Sequence, residues 1–145
     1  MSAPAPPRPI PASGVTTVRV RYVECDPQGV AHHSSYLAWL EEGRTQLLRD
    51  AGVSYAAVEE AGLFLVVAKL ELRYRAPARY DDVLEIRTTI VGGGRARVDH
   101  AYEAVVLERA GETPTGTPIV EASSTLACIG RDGRPTAMPE WLAPV

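Results

Sequence analysis

Side chains that could carry out acyl-transfer chemistry are concentrated in one short polar segment near the N-terminus. The segment ECDPQGVAHH, at residues 24–33, contains Asp26, His32 and His33, and Tyr22 lies just before it. A carboxylate beside the start of a helix can activate a water molecule or attack an acyl carbon directly, and backbone N–H groups there can polarise the acyl oxygen. Hydrolysis of a thioester needs both functions in one place. This segment is therefore the candidate active site, with Asp26 as its carboxylate.

Each of these residues also has a purely structural interpretation. Asp26 could make only a turn hydrogen bond ahead of the following proline, Tyr22 could pack in the core, and His33 could be a surface residue. Gly29 lets an acyl carbonyl approach amide donors closely, or it could be only a loop hinge, and the N–H of Val30 is a comparable donor. A working carboxylate is poised but not fully solvated, so we expect Asp26 to be partly buried.

Hydrophobic periodicity predicts the elements on either side of this segment. Before it, Val18, Val20 and Tyr22 alternate with arginines, as in a strand with one buried face. After it, apolar residues recur at helical spacing over residues 37–51, and Gly52 is placed to end that helix. The candidate site therefore lies on a strand-to-helix connection.

After a short helical piece at residues 54–61, every following segment alternates with the two-residue period of strands. The inward-facing positions are Leu70, Leu72 and Tyr74 in the second strand, Leu84, Ile86, Thr88 and Ile90 in the third, Ala96, Val98, Tyr102, Ala104 and Val106 in the fourth, and Val120, Ala122, Leu126 and Cys128 in the fifth. This order predicts an α+β fold, in which an antiparallel sheet of about five strands wraps around one long α-helix.

Length and composition predict one domain. A chain of 145 residues can bury a hydrophobic core that needs no stabilising disulfides or metal ions. Its longest apolar run, Leu63 to Ala68, is too short to cross a bilayer. Residues 1–14 contain five prolines and no continuous apolar stretch, which predicts a disordered tail rather than a secretory signal. Residues 15–145 are then the single folded domain.

Charge and ligand chemistry argue against several classes of partner. The net charge of −3 gives no positive field for nucleic acid or an anionic membrane surface. The two cysteines, Cys25 and Cys128, are expected to be reduced thiols in a cytoplasm. His100 lies on the apolar face of the fourth strand, which predicts a satisfied core histidine rather than a metal ligand. We therefore expect no metal site.

Two segments, in the same order, resemble the hotdog-fold thioesterases. The first is VRYVECDPQGVAHHSSYLAWLEEGRTQLL at residues 20–48, and the second is YRAPARYDDVLEI at residues 74–86. The resemblance runs from Val18 to Arg131 and is specifically to the 4-hydroxybenzoyl-CoA thioesterase family and its YbgC-like acyl-CoA branch. It implies the hotdog fold for the α+β domain and an acyl-CoA thioesterase activity that uses no cofactor.

The resemblance also implies roles for individual residues. Asp26 matches the catalytic aspartate, as nucleophile or general base, and Tyr22 and His33 match the positions that flank and orient it. Cys25 is similar to the "CDP" variant of the hydroxybenzoyl type. Because features of both branches are mixed, the acyl group remains open between aromatic and short aliphatic, and either coenzyme A or an acyl carrier protein could deliver it.

The resemblance further implies homodimers with joined sheets and active sites between subunits, often paired into tetramers. Five outward arginines could bind the phosphates of coenzyme A, since guanidinium pairs bidentately with phosphate, or they could simply form a solvated sheet face. They are Arg73, Arg75, Arg79, Arg95 and Arg97. Two other functions share the architecture: a non-catalytic acyl- or CoA-binding module, and a hotdog dehydratase or hydratase, which ranks third because the loop D-x-x-G-V is thioesterase-like.

Overall fold

One long helix lies against the concave face of a five-stranded antiparallel sheet. The computed structural model describes residues 5–112, 116 and 118–143. The helices are α1 (Ser35–Ala51) and α2 (Tyr55–Glu60), and a short 3-10 turn spans Tyr22–Glu24. The strands are β1 (Ser13–Arg19), β2 (Phe64–Tyr74), β3 (Val83–Gly94), β4 (Arg97–Glu108) and β5 (Pro118–Ile129). This arrangement confirms the predicted fold.

The strands lie in the order β1-β3-β4-β5-β2, so that β1 and β2 form the two edges. Alternate residues of β3, β4 and β5 are buried, as the two-residue period predicts. The register places Thr88 opposite Tyr102, and Tyr102 opposite Ala122. These inward side chains, together with one face of α1, form the main core.

Gly43 lets α1 approach the sheet closely. A Cβ at this position would come within 3.0 Å of Ile86 Cγ2 and would collide with Thr88 Oγ1. The helix consequently packs over β1 and β3. It ends at Gly52, whose φ of 92° is left-handed and whose N–H donates to the carbonyls of Arg49 and Leu48.

Two predicted boundaries near the N-terminus differ from the structure. The first strand ends at Arg19 rather than continuing to Tyr22, because the Glu24 carboxylate accepts the Arg21 N–H (2.7 Å) and draws the chain into a 3-10 turn. The tail was predicted to extend to residue 14, yet Ser13 begins β1. Its earlier part is tied to α1, since the Arg8 N–H donates to the carbonyl of Ala51 (3.2 Å).

Within the part of the chain that the structure describes, no helix is long and apolar enough to cross a membrane.

Candidate active site

Asp26 begins a tight turn between β1 and α1. Its N–H donates to the carbonyl of Val30 (2.9 Å), and the Gly29 N–H donates back to the Asp26 carbonyl (3.0 Å). The side chain is half-buried, as predicted, and its Oδ1 accepts the Gln28 N–H (2.8 Å). The turn interpretation of Asp26 is therefore correct for one carboxylate oxygen. Within the described residues, the other oxygen, Oδ2, accepts no hydrogen bond.

The two candidate amide donors differ in their availability. Gly29 has a φ of 81°, a left-handed conformation that only glycine adopts freely, and a Cβ there would meet no atom within 4 Å. Its N–H is used by the turn bond to Asp26. The N–H of Val30 has no acceptor among the described residues. Val30 is consequently the better placed of the two to polarise an acyl oxygen.

The structure brings the two sequence segments of the resemblance together. The Ala31 N–H donates to the carbonyl of Ala78 (2.7 Å), and the Tyr80 N–H donates to the carbonyl of Gly29 (3.3 Å). The N–H of Ala78 in turn donates to the buried hydroxyl of Tyr36 on α1 (3.1 Å). Burial raises the pKa of the Tyr36 hydroxyl, which stays protonated. The Asp26 turn is thus held against residues 78–80 by backbone hydrogen bonds, and Tyr36 holds that segment to α1.

Glu24 anchors the turn to α1, a role that sequence reasoning missed. Its side chain is only 8% exposed, and its carboxylate accepts the N–H of Arg21 (2.7 Å) and the indole N–H of Trp39 (2.8 Å). Its carbonyl accepts the N–H of His32 (2.8 Å) and the hydroxyl of Ser35 (2.7 Å). A tryptophan on the apolar face of the predicted helix signalled a need for a buried acceptor, although not which one.

A second buried carboxylate, Asp82, fixes the segment at residues 77–80 that pairs with the Asp26 turn. It is 1% exposed and accepts two bonds from the Arg109 guanidinium, at 3.0 and 2.8 Å, and one from the Arg79 N–H (2.8 Å). Arg109 also donates to the carbonyl of Pro77 (3.2 Å). The hydrogen bonds to Asp82 raise the pKa of Arg109. This ion pair joins residues far apart in sequence, so periodicity could not reveal it.

The other two predicted catalytic side chains lie near Asp26 without a direct bond to it. Tyr22 was expected at the inward end of a strand, but it is 79% exposed and stacks edge-on against Tyr80 at 5.5 Å. His33 is exposed, and its carbonyl accepts the hydroxyl of Tyr74 (2.8 Å). Among the described residues, neither Tyr22 nor His33 is hydrogen-bonded to the Asp26 carboxylate.

Cys25, adjacent to Asp26, is not a strong competing nucleophile. Burial raises the pKa of its thiol, and the neighbouring carboxylates of Glu24 and Asp26 raise it further. The thiol lies 3.6 Å from the carbonyl of Arg21. A protonated thiol is a poor nucleophile, so Asp26 remains the nucleophilic candidate. Cys25 and Cys128 are both free.

The five outward arginines do not form one patch. Arg73 and Arg75 lie toward one end of the sheet, and Arg95 and Arg97 lie at the other. Arg97 lies opposite Ala127 and Arg73 opposite Glu121, a difference of six residues along β5 that corresponds to roughly 20 Å. Arg79 is the exception, because it forms a β-bridge with Val30 beside the Asp26 turn.

His100 is not the satisfied core histidine that its position predicted. It is 6% exposed, and its Nδ1 is buried without a hydrogen-bond partner among the described residues. Burial lowers its pKa from 6.5 to about 4, and the charge of Arg44 lowers it in the same direction. His100 and Arg44 both line a cavity of about 430 Å³. Alternation along β4 correctly indicated that this side chain points inward. It could not indicate whether a hydrogen-bond partner for the imidazole is present there.

Within residues 5–112, 116 and 118–143, no group of three or more histidine, cysteine or acidic side chains is arranged to hold a metal ion.

Comparisons with known proteins identify relatives of this chain. The model of the thioesterase-like superfamily matches residues 20–144. The chain is 28% identical over 129 residues to YneP of Bacillus subtilis, covering 86% of this chain and 88% of that protein. It is 45% identical over 73 residues to the acyl-CoA thioester hydrolase YbgC of Escherichia coli O157:H7, covering 50% of this chain and 54% of that one.

A solved structure extends the similarity over most of the fold. The DHNA-CoA thioesterase of Staphylococcus aureus superposes with a TM-score of 0.78 and 27% identity, covering 86% of this chain and 80% of that one. The family matches and this superposition confirm the hotdog fold and the resemblance that the two sequence segments predicted.

Proposed function

Because this chain belongs to the thioesterase-like superfamily, we propose that it hydrolyses acyl-CoA thioesters to a free acid and coenzyme A, with Asp26 as the catalytic carboxylate. The observation that carries this proposal is that one turn before α1 contains both a half-buried carboxylate, Asp26, and the N–H of Val30, which has no acceptor among the described residues. One group can promote attack on the thioester carbon while the other receives the charge that develops on its oxygen.

The unbonded Oδ2 of Asp26 can act in two ways. As a general base, it takes a proton from water while the water oxygen bonds to the thioester carbon, the C–S bond breaks, and the thiolate of coenzyme A leaves and is protonated. As a nucleophile, it bonds to that carbon itself, the C–S bond breaks, and the thiolate of coenzyme A leaves and is protonated. Water then hydrolyses the resulting anhydride to the free acid and the Asp26 carboxylate. The Gln28 N–H holds Oδ1 and thereby orients the carboxylate in either route.

Neighbouring side chains are assigned by proximity to the turn. Tyr22 and His33 are exposed beside the Asp26 turn and would contact the substrate rather than the Asp26 carboxylate itself. Arg79, bridged to Val30, is the arginine best placed to bind a phosphate of coenzyme A. The two free thiols, Cys25 and Cys128, fit a reducing compartment such as the cytoplasm.

We propose that two subunits join at β2, which is a sheet edge with one side unpaired. Val66 and Val67 on this strand are 39% and 49% exposed, and apolar side chains on an open edge favour pairing with another strand. The expected assembly is a homodimer with a continuous sheet, which could pair again into a tetramer. Light scattering coupled to gel filtration measures the subunit number directly, and a monomer would contradict this proposal.

The decisive experiment measures thiol release from a panel of aromatic and aliphatic acyl-CoAs. Asp26→Asn keeps an acceptor for the Gln28 N–H and removes only the charge. Asp132→Asn is the matched control, because Asp132 Oδ1 accepts the Arg134 N–H (3.0 Å) in a similar turn at the end of β5. We expect kcat to fall by at least about 100-fold in Asp26→Asn and to stay unchanged in Asp132→Asn.

Two outcomes would contradict parts of this proposal. Full activity in Asp26→Asn would remove Asp26 from the mechanism. Inactivity of the unaltered protein on all acyl-CoAs, combined with tight binding of one of them, would indicate a non-catalytic acyl-binding module. Measuring the rate of hydrolysis of the same acyl groups on an acyl carrier protein then shows whether coenzyme A or the carrier protein delivers the substrate.

A further inference from the structure

Two exposed tyrosines lie in contact with each other beside the Asp26 turn. Tyr22 is 79% exposed and Tyr80 is 52% exposed, and their rings meet edge to face with centroids 5.5 Å apart. Single exposed apolar residues are ordinary on a protein surface, whereas two aromatic rings in contact offer a ligand a combined apolar face. We call the surface formed by Tyr22 and Tyr80 the tyrosine platform.

Backbone hydrogen bonds hold the tyrosine platform next to the candidate carboxylate. The Tyr80 N–H donates to the carbonyl of Gly29 (3.3 Å), and the Cys25 N–H donates to the carbonyl of Tyr22 (3.1 Å). Tyr22 lies four residues before Asp26, and four residues of fully extended chain span at most roughly 14 Å. A substrate whose thioester lies at Asp26 therefore has the tyrosine platform within reach of the chain that carries its sulfur.

An arginine precedes each tyrosine of the platform. The Arg79 side chain is exposed and forms no ion pair among the described residues. The Arg21 side chain is 71% exposed and lies 3.4 Å from the Glu24 carboxylate. That carboxylate already accepts the Arg21 N–H and the indole N–H of Trp39, so the Arg21 guanidinium keeps donors for another anion. Guanidinium groups bind phosphate through paired hydrogen bonds.

The acidic side chains that follow Tyr80 are already paired with other arginines. Asp81 pairs with Arg19 at 3.3 Å, and the buried Asp82 pairs with Arg109 at 2.8 Å. Neither aspartate neutralises Arg79. The region around the tyrosine platform therefore combines an apolar aromatic face with a positive charge, which suits a ligand that has an apolar chain ending in an anion.

We infer that the tyrosine platform binds the pantetheine arm of the substrate and that Arg79, together with Arg21, binds the phosphate at the end of that arm. This inference rests on the proposed thioesterase function and names the part of the substrate that each side chain contacts. The methylene and methyl groups of the arm pack on the aromatic rings and lose their contact with water. Coenzyme A and acyl carrier proteins share the 4′-phosphopantetheine arm, so the same site accepts either.

A series of shortened substrates measures the contribution of each part of the arm. The kcat/KM is compared for thioesters of one acyl group with N-acetylcysteamine, pantetheine, 4′-phosphopantetheine and coenzyme A. Pantetheine should exceed N-acetylcysteamine about tenfold through the apolar contacts. The phosphate should add about fivefold, and less at high salt, because the ion pair is exposed. A dominant gain at the last step would assign the adenine nucleotide to this surface and overturn the inference.

Substitutions then assign each gain to a side chain. In Tyr22→Ala and in Tyr80→Ala the ratio of pantetheine to N-acetylcysteamine should fall toward one, and Tyr22→Phe should restore it because the ring remains. Arg79→Met should lose the gain from the phosphate. Arg134→Met is the matched control, because Arg134 is exposed at the opposite end of the sheet, beside the end of β5. Unchanged ratios in the tyrosine variants, or a kcat that falls equally on all four thioesters in Tyr22→Phe, would overturn the inference.

Two further comparisons distinguish the source of the arm from another occupant of the surface. The rates on acyl-CoA and on the same acyl group attached to an acyl carrier protein show which one delivers the arm, and Tyr22→Ala should lower both by a similar factor. A loss confined to one of them would overturn the inference. Light scattering of Tyr22→Ala should give the subunit number of the unaltered protein, and a smaller number would show that another subunit covers the tyrosine platform.

A binding measurement separates this inference from the proposed activity. Calorimetric titration with 4′-phosphopantetheine needs no turnover. If no thioester is hydrolysed but this ligand binds, and Tyr22→Ala weakens its binding about tenfold, the tyrosine platform is a binding site and only the enzymatic function fails. Equal kcat/KM values for the N-acetylcysteamine and pantetheine thioesters would overturn the inference and leave the thioesterase function intact.

Discussion

The buried His100 should make the protein lose stability in mild acid. Its pKa is lowered from 6.5 to about 4 in the folded state, chiefly because burial disfavours the charged imidazolium and also because Arg44 repels it, while Asp99 opposes the shift. Between these two values the unfolded chain binds a proton that the folded chain does not. Stability contributed by the neutral imidazole is therefore complete above pH 6.5 and is lost as the pH falls toward 4.

The size of this effect follows from the two pKa values. The full shift corresponds to roughly 3 kcal/mol of unfolding free energy, of which about 2 kcal/mol should be lost between pH 7 and pH 5. His100→Leu removes the titrating group and places an apolar side chain in the same buried position. Between pH 7 and pH 5, the variant should therefore lose about 2 kcal/mol less unfolding free energy than the unaltered protein.

Urea unfolding of the two proteins at pH 7 and pH 5 measures this difference. The remaining ionisable groups are common to both proteins, so subtracting one pH dependence from the other isolates His100. Equal losses of unfolding free energy in the two proteins would refute the argument, since they would mean that the imidazole is protonated as readily in the fold as in the unfolded chain.

Three further substitutions test the contacts that position the site. Glu24→Gln leaves the N–H groups of Arg21 and Trp39 sharing one weaker, neutral acceptor, so we expect a loss of roughly 1–3 kcal/mol in urea unfolding and a lower kcat. Arg109→Met strands the buried Asp82 carboxylate and should cost roughly 3–5 kcal/mol, whereas combining it with an Asp82→Leu change should recover most of that loss. Gly43→Ala should lower stability by about 1–3 kcal/mol through overpacking, visible as a lower melting temperature.

Local patterns predicted the order of the elements and most of their buried faces correctly. The two-residue alternation in β3, β4 and β5 identified which side chains point inward, because successive residues of a strand point to opposite faces whatever their partners are. The same reasoning failed at Tyr22. Alternation continued in the sequence, but the Glu24 carboxylate bonded to the Arg21 N–H and ended the strand earlier. A side-chain acceptor can bind a backbone N–H that would otherwise pair with a neighbouring strand. Hydrophobic periodicity carries no information about that competition.

The candidate carboxylate, Asp26, was identified from the sequence alone because its neighbours in the chain made both the turn and the chemistry recognisable. Its surroundings were not. The contact of Ala31 with Ala78 joins segments that are far apart in sequence and meet only when β1 and β3 pair. The unpartnered nitrogen of His100 is likewise a property of packing.

For this protein, then, local sequence determined element boundaries to within a few residues, inward faces and the position of the candidate carboxylate, Asp26. Each of those depends on neighbours within one or two turns of chain. Tertiary structure alone decided which amide of the Asp26 turn stays free, which carboxylates support that turn, and that the Nδ1 of His100 is buried without a partner among the described residues. Those properties depend on distances between atoms whose residues are remote in sequence, and only the folded chain sets such distances.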